Sequence, residues 1–338
     1  MRLLVTGGAG FIGSEFVRMT LRDHPEDSVI VLDKLTYAGN ERNLESVRDN
    51  GRFRFVRGDI CDAATVNELA NESDVIVNFA AESHVDRSLE APGQFILTDV
   101  YGTFVLMDAA RTHKHERFLQ VSTDEVYGEV SSGHSVEDDP LQPRSPYSAS
   151  KAGGELLVQA YRTSYGFPAI VTRGSNTFGP YQYPEKIIPL FITNAIDDRP
   201  LPIYGDGGAV RDYLHVEDHA RGIDRALRDG VVGIDYNIGA GGETSGITVA
   251  DTVLRLLGKP DSLKQFVRDR PGHDRRYAVD SARLRGIGWQ PQIAFEEGMQ
   301  RTVAWFVAHE DWWRPLKSGE FWEFYQRNYK PAESGIAP

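Results

Sequence analysis

Short apolar runs alternate with amphipathic stretches through the first half of the chain. Arg2-Leu3-Leu4-Val5-Thr6, Val29-Ile30-Val31-Leu32, Phe53-Arg54-Phe55-Val56 and Phe118-Leu119-Gln120-Val121 are strand-length and rich in branched or aromatic residues. They predict strands near 2–6, 28–32, 53–56 and 117–121, with two more near 74–79 and 168–172. The intervening patterns predict helices near 11–23, 62–70, 92–113 and 147–164. Such alternation builds an α/β fold with a doubly wound parallel sheet. Residues 129–146, rich in Ser, Gly, Pro and acids, read as a loop over the site. From 174 onward prolines, glycines and aromatics multiply, with helices expected near 186–197 and 248–257. Residues 216–228 and 235–238 read as one more helix–strand unit that returns to the sheet. The expected division is therefore discontinuous. Residues 1–175 with 212–240 form one domain, 176–211 with 241–330 a smaller α/β lobe, and 331–338 a disordered tail.

The first strand runs into Gly7-Gly8-Ala9-Gly10-Phe11-Ile12-Gly13, and a helical pattern follows. The run fits G-x-G-x-x-G through Gly8, Gly10 and Gly13, and G-x-x-G-x-x-G through Gly7, Gly10 and Gly13. Glycines between a strand and a helix let backbone approach a pyrophosphate at the helix N-terminus. Asp33 ends the second strand, 20 residues after Gly13, where an acid binds an adenosine ribose diol. Its charge repels a 2′-phosphate and favours NAD over NADP; the adjacent Lys34 tempers this slightly. Asp59 and Ile60 follow the third strand and could edge the adenine. These features predict a Rossmann domain holding NAD.

A second constellation lies at 122–151. Tyr147 and Lys151 are four residues apart and share a face if this stretch is helical. A free phenol, with a pKa near ~10, is a poor base at neutral pH, and an ammonium one turn away stabilises the phenolate. Asp124 and Glu125 add two carboxyl groups after the apolar run 118–121. Alone, such a Tyr–Lys spacing is common and an Asp-Glu pair is usually solvated surface. Together with a dinucleotide loop they suggest redox chemistry coupled to an elimination.

The formal net charge of −12 argues against nucleic acid and anionic membranes as partners, and requires a local cationic patch for any anionic substrate. The one cysteine, Cys61, can form no intramolecular disulfide and reads as a small apolar core residue. No metal site is expected. No apolar run reaches 18 residues and the chain opens on a strand rather than a signal peptide, so a cytoplasmic protein is expected.

The chain resembles the extended short-chain dehydrogenase/reductases from residue 1 to about 328, and within them the dTDP-glucose 4,6-dehydratases. The resemblance is carried by Asp33-Lys34-Leu35-Thr36-Tyr37-Ala38-Gly39-Asn40, Ala80-Ala81-Glu82-Ser83-His84-Val85-Asp86-Arg87-Ser88 and Thr123-Asp124-Glu125-Val126-Tyr127-Gly128. Tyr181-Gln182-Tyr183-Pro184-Glu185-Lys186, Arg211-Asp212-Tyr213 and Gly272-His273-Asp274-Arg275-Arg276-Tyr277 add to it. Epimerases of the superfamily usually lack the acid pair, which makes 123–125 the discriminating motif.

The resemblance implies a role for each matched residue. Thr123 would bond near the sugar 4-hydroxyl, and Tyr147 would take the O4 proton while C4 gives its hydride to NAD. Lys151 would bond the nicotinamide ribose. Glu125 would remove the C5 proton and Asp124 would protonate the departing 6-hydroxyl, leaving a 4-keto-6-deoxy sugar once the hydride returns to C6. Gly7, Gly10, Phe11, Ile12, Gly13, Asp33, Lys34, Thr36, Asp59, Ile60, Ala80, Ala81, Ser83 and Asn176 would join Tyr147 and Lys151 around NAD. Ser83, His84, Thr123, Asn176, Lys186, Pro202, Tyr204, Arg211, Arg275 and Tyr277 would face a nucleotide-diphosphate hexose, with dTDP-glucose expected. A homodimer is implied through helices 92–113 and 147–164, with Leu97, Tyr101, Val105, Leu156 and Tyr161 as apolar surface. One segment departs from the family's Arg-Cys-Ser-Asn-Asn-Tyr-Gly-Pro: here it is Arg173-Gly174-Ser175-Asn176-Thr177-Phe178-Gly179-Pro180. A 4-epimerase or decarboxylase on the same scaffold, and a non-catalytic NAD sensor, are the competing readings. The acid pair argues against the first two, and the intact Tyr–Lys pair against the third.

Overall fold

The computed structural model describes residues 1–269 and 273–329. The tail expected at 331–338, and Gly272 of the 272–277 motif, lie outside the described residues. The first part of the chain comprises β1 (Arg2–Thr6), α1 (Phe11–Asp23), β2 (Ser28–Asp33), β3 (Phe53–Arg57), α2 (Ala63–Asn71) and β4 (Val75–Asn78). Next come α3 (Val85–Glu90), α4 (Pro92–Phe95), a π-helical turn (Ile96–Gly102), α5 (Thr103–Thr112), β5 (Arg117–Thr123), α6 (Pro146–Tyr165) and β6 (Ala169–Gly174). The later part contains β7 (Asn176–Phe178), α7 (Ile187–Ile196), β8 (Leu201–Tyr204), β9 (Val210–Arg211), β10 (Tyr213–His215), α8 (Val216–Asp229) and β11 (Asp235–Ile238). It continues through β12 (Thr244–Ser245), α9 (Gly246–Leu257), β13 (Lys264–Val267), α10 (Ala282–Arg285), α11 (Phe295–Ala308), α12 (Glu310–Trp313) and α13 (Gly319–Asn328).

Seven strands form one sheet in the order β11-β6-β5-β4-β1-β2-β3, every pair parallel. The order reverses between β1 and β4, and a crevice at such a point, outside the strands' carboxyl ends, is where α/β sheets bind ligands. Apolar runs in β1, β2, β4, β5 and β6 are buried on both faces. One face packs Leu3, Val5, Leu119 and Ile170 against Phe16 and Val17 of α1 and Ile223 and Leu227 of α8. The other packs Leu4, Ile76, Phe118 and Val171 against α2, α5 and Val158 of α6, with Cys61 half-buried at its margin. A separate core joins α7, α9, α11 and β8 with Trp312, Trp313 and Phe321. The expected helix–strand unit is α8 and β11, and β11 does return to the sheet beside β6.

Two expectations need correction. The helix expected over 92–113 runs without a break from Pro92 to Thr112, but over Ile96–Gly102 its hydrogen bonding is π-helical rather than α-helical. Val105, expected on the outer apolar surface, is 4% exposed and faces the sheet. The sequence reading also missed α11 and α13, which lie beyond the last strand, where no strand–helix alternation marks them.

Candidate active site

A single cleft runs across the carboxyl ends of the central strands. At one end, Gly7 adopts φ +69°, and a Cβ there would lie 2.5 Å from the Ala80 backbone nitrogen. A Cβ on Gly13 would lie 2.4 Å from the Gly7 carbonyl oxygen, so this loop closes only with glycine at both places. The N-terminus of α1 has no side-chain cap and no acid in its first turn, which leaves its N–H groups and dipole for a diphosphate. Asp33 is buried at the end of β2 and accepts the N–H groups of Ala9 at 2.9 Å and Leu35 at 2.8 Å. Burial raises its pKa, against those two hydrogen bonds. Lys34 forms an ion pair with Asp59 at 2.7 Å. These residues fit an adenosine ribose and pyrophosphate, while the Asp33 carboxylate opposes a 2′-phosphate and the neighbouring Lys34 is already paired with Asp59.

The other end holds the reactive groups. Thr123 closes β5, and its hydroxyl caps the short turn Asp124–Tyr127 through the Glu125 N–H at 3.3 Å. The same side chain hydrogen-bonds Tyr147. α6 starts through a capping box in which Ser145 and Ser148 satisfy each other's backbone, with Pro146 in the first turn, and this fixes Tyr147 at the helix entrance. Lys151, one turn on, is buried and donates to the Val121 carbonyl at 2.8 Å. Burial lowers its pKa, while Asp99 and Glu155 raise it. Asp99 comes from the π-helical turn and accepts Ser150 Oγ at 2.5 Å and the Glu82 N–H at 3.0 Å. Gly154 permits that approach, since a Cβ there would lie 2.7 Å from the Asp99 carbonyl. Asp99, pushed up to about 6 by burial, is a charged neighbour that sequence reasoning missed; its only signal was one carboxyl in an otherwise apolar stretch.

Asp124 is 3% exposed and its Oδ2 has no hydrogen-bond partner among the described residues. Burial first, then the charges of Glu125 and Asp212, push its pKa up to about 8. A carboxyl in that state carries a proton at neutral pH, while Glu125 beside it is half-buried at the cleft wall. The pair is thus divided by environment into a proton donor and a more open partner. Tyr147 departs from expectation. Its pKa is raised well above the usual phenol value by burial, then by Glu125 and Asp99, and the hydrogen bond with Thr123 works the other way. Lys151 alone does not make this phenol a base, because its ammonium is turned to a backbone carbonyl and further positive charge is needed nearby.

The cleft brings together Gly7, Gly10, Phe11, Ile12, Gly13, Asp33, Lys34, Thr36, Asp59, Ile60, Ala80, Ala81, Ser83, Thr123, Asp124, Glu125, Tyr147, Lys151, Asn176 and Lys186. Lys186 donates to the Ser83 carbonyl at 2.5 Å. Six of the expected sugar-nucleotide residues sit outside that lining. His84 is buried at the start of α3, edge-on to Phe324 of α13 with ring centroids 5.4 Å apart. Pro202 is buried in β8, and the Tyr204 ring packs against His273 and Tyr329. Arg211 lies over the Tyr277 ring at 4.6 Å and donates to the Asp274 carbonyl, and Tyr277 itself donates to Asp274 Oδ2. Arg275 is exposed and paired with Asp206 at 2.9 Å. Ser122, Ser175, Thr177, Gln182 and His219 line the cleft without having been foreseen as contacts.

A profile of GDP-mannose 4,6 dehydratase matches residues 4–302. The chain belongs to this family. It is 50% identical over 311 residues to the low-salt glycan biosynthesis protein Agl12 of Haloferax volcanii, covering 92% of this chain and 100% of that protein. It is 48% identical over 323 residues to a dTDP-glucose 4,6-dehydratase of Streptomyces niveus, covering 94% and 96%. The crystal structure of DesIV, a dTDP-glucose 4,6-dehydratase from Streptomyces venezuelae with NAD bound, superposes with a TM-score of 0.92 at 49% identity, covering 94% of this chain and 100% of that one. Family membership thus agrees with the site: a dinucleotide end built from backbone, and a reacting end with one Tyr–Lys pair and two unlike carboxyls.

Proposed function

We propose that the protein is a hydro-lyase that dehydrates dTDP-glucose to dTDP-4-keto-6-deoxyglucose with bound NAD. The observation that carries this is Asp124, a buried acid raised to about 8 beside Glu125, in the cleft of a chain close to half identical to dTDP-glucose 4,6-dehydratases. When bound, NAD accepts a hydride from C4, returns it at C6 and brings a cationic ring to this end of the cleft. Tyr147, held by Thr123, takes the O4 proton. Lys151, fixed by Val121, orients the ribose and adds positive charge. The resulting ketone acidifies C5–H, which Glu125 removes, and Asp124 gives its proton to the departing 6-hydroxyl. As the hydride returns to C6, Glu125 gives the proton it took back to C5, so that water is the only group lost.

Residues 1–175 with 212–240 serve as the cofactor domain and the rest of the described chain as the sugar-nucleotide lobe. Lys186 and Asn176, both in the cleft lining, supply diphosphate contacts that a chain of net charge −12 must provide locally. A homodimer is also proposed. Leu97, Tyr101, Leu156 and Tyr165 are 52%, 46%, 55% and 59% exposed on the π-helical turn and α6, an apolar surface suited to a second copy. Tyr161 is half-buried and props Tyr165 at 5.0 Å. Among the described residues no helix is long and apolar enough to cross a membrane. A cytoplasmic location is proposed. The deciding assay is incubation with dTDP-glucose followed by alkali, where a near-ultraviolet band marks the 4-keto-6-deoxy product. Absence of the band with recovery of an isomerised hexose would return the epimerase reading.

A further inference from the structure

β6 ends at Gly174, whose neighbour in the sheet register is Thr123, the residue that bonds Tyr147. Asp33 marks the opposite end of the cleft, so Gly174 lies at the end where a nicotinamide would sit. The place of a side chain at 174 is taken by another residue. A Cβ on Gly174 would lie 2.3 Å from His219 Cε1 and 2.4 Å from His219 Nε2. His219 comes from the first turns of α8, is 2% exposed, and lines the cleft together with Gly174 and Thr177.

Its two nitrogens are unequal. Nδ1 lies 2.7 Å from Thr177 Oγ1, and that hydroxyl donates its one proton to the Ser175 carbonyl at 3.1 Å. The hydroxyl can therefore only accept from the ring, so Nδ1 carries the hydrogen and Nε2 is a bare acceptor. Nε2 has no partner among the described residues, although such a buried polar atom normally has one. Burial holds the ring neutral, with its pKa lowered to about 4, so Nε2 stays an acceptor across the physiological range.

We propose that His219, fixed by Thr177 and admitted by the missing side chain of Gly174, accepts a hydrogen bond from the carboxamide NH2 of the bound nicotinamide. His219 is then a positioning residue that sets the orientation of the ring at the reacting end. The proposal rests on the reading of the cleft as an NAD site and adds to it a residue, a tautomer and a ligand atom. It also ties together two of the sequence's departures, since Gly174 opens the space and Thr177 fixes the ring that fills it.

The test is calorimetric binding to the full chain freed of nucleotide, with three probes: NAD, ADP-ribose, and 3-acetylpyridine adenine dinucleotide, which keeps the carbonyl and lacks the NH2. The wild type should prefer NAD to the acetyl analogue. His219→Leu should weaken NAD about tenfold, the cost of one buried hydrogen bond, leave ADP-ribose unchanged and abolish the preference. Gly174→Ala, which must displace the ring, should do the same, and Thr177→Val should lose part of the preference by freeing the tautomer. If His219→Leu fails to fold, the other two variants carry the decision. Equal weakening of NAD and ADP-ribose, or an undiminished preference for the carboxamide, overturns the proposal while the cofactor reading stands. A wild type that binds neither NAD nor ADP-ribose overturns both.

Discussion

The two ends of the cleft are made by different means. The adenosine end is backbone: two glycines with no room for a Cβ, an uncapped helix N-terminus, and one carboxylate tied to N–H groups at 2.9 and 2.8 Å. The reacting end is side chains whose protonation has been moved by burial, with Asp99 raised to about 6, Asp124 to about 8, and Lys151 lowered. Binding can be built from chain geometry, which local sequence dictates. Proton transfer needs groups held away from their ordinary pKa, and only tertiary packing supplies that.

The largest effect should come from Tyr147→Phe. Steady-state turnover should fall about a hundredfold to ten-thousandfold while NAD stays bound, since no adenosine-end contact is touched. Rapid-mixing measurement of C4 oxidation checks it, and an unchanged rate removes Tyr147 from the chemistry. Next in size are the carboxyls, which should fail differently. Glu125→Gln should allow oxidation at C4, accumulate reduced nicotinamide absorbance and stop exchange of the C5 hydrogen with solvent deuterium. Asp124→Asn should keep that exchange and slow loss of water instead. Identical behaviour of the two variants would erase the division of labour between them.

A smaller change is expected at the other end. Asp33→Asn should weaken NAD about tenfold and narrow its preference over NADP, with the rate at saturating NAD nearly unchanged. A loss of rate at saturation would show that the two ends are not separable. The smallest effect is on stability. Asp124 has its folded-state pKa raised from 3.8 to about 8, so the folded protein binds a proton that the unfolded chain releases. That contribution is full below 3.8 and lost as pH rises through about 8. Asn cannot ionise, so Asp124→Asn should raise the melting temperature at pH 8 by about 2–4 °C and change it less at pH 5. Melting curves at the two pH values check the sign.

The contrast between the ends also explains what could be read in the chain. The seven strands of the central sheet, the glycine loop, Asp33 and the Tyr147–Lys151 face follow from local spacing and were legible, whereas the short strands outside that sheet were not. The π-helical turn was not, because the groups that meet its Asp99, Gly154 and Ser150, are far away in sequence. Nor was the raised phenol of Tyr147, which depends first on its burial and then on Glu125 and Asp99 converging from two other elements. Arg275 was legible as a cation but not as one already paired with Asp206. His219 had no signal as a ligand, since a lone His at a helix start usually belongs to the core, and its meaning appears only with the space above Gly174.

The order of strands in the sheet also bears on how the protein is made. The chain leaves the sheet at Gly174 and returns only at Asp235, yet β11 is the strand that covers β6. During synthesis β6 is therefore a bare parallel edge until the whole of α7 and α8 has emerged. Parallel pairing across such separations is slow, and exposed edges recruit other chains. A ribosome stalled or a chain cut just after residue 175 would release every glycine of the dinucleotide loop on a fragment that aggregates rather than one that binds.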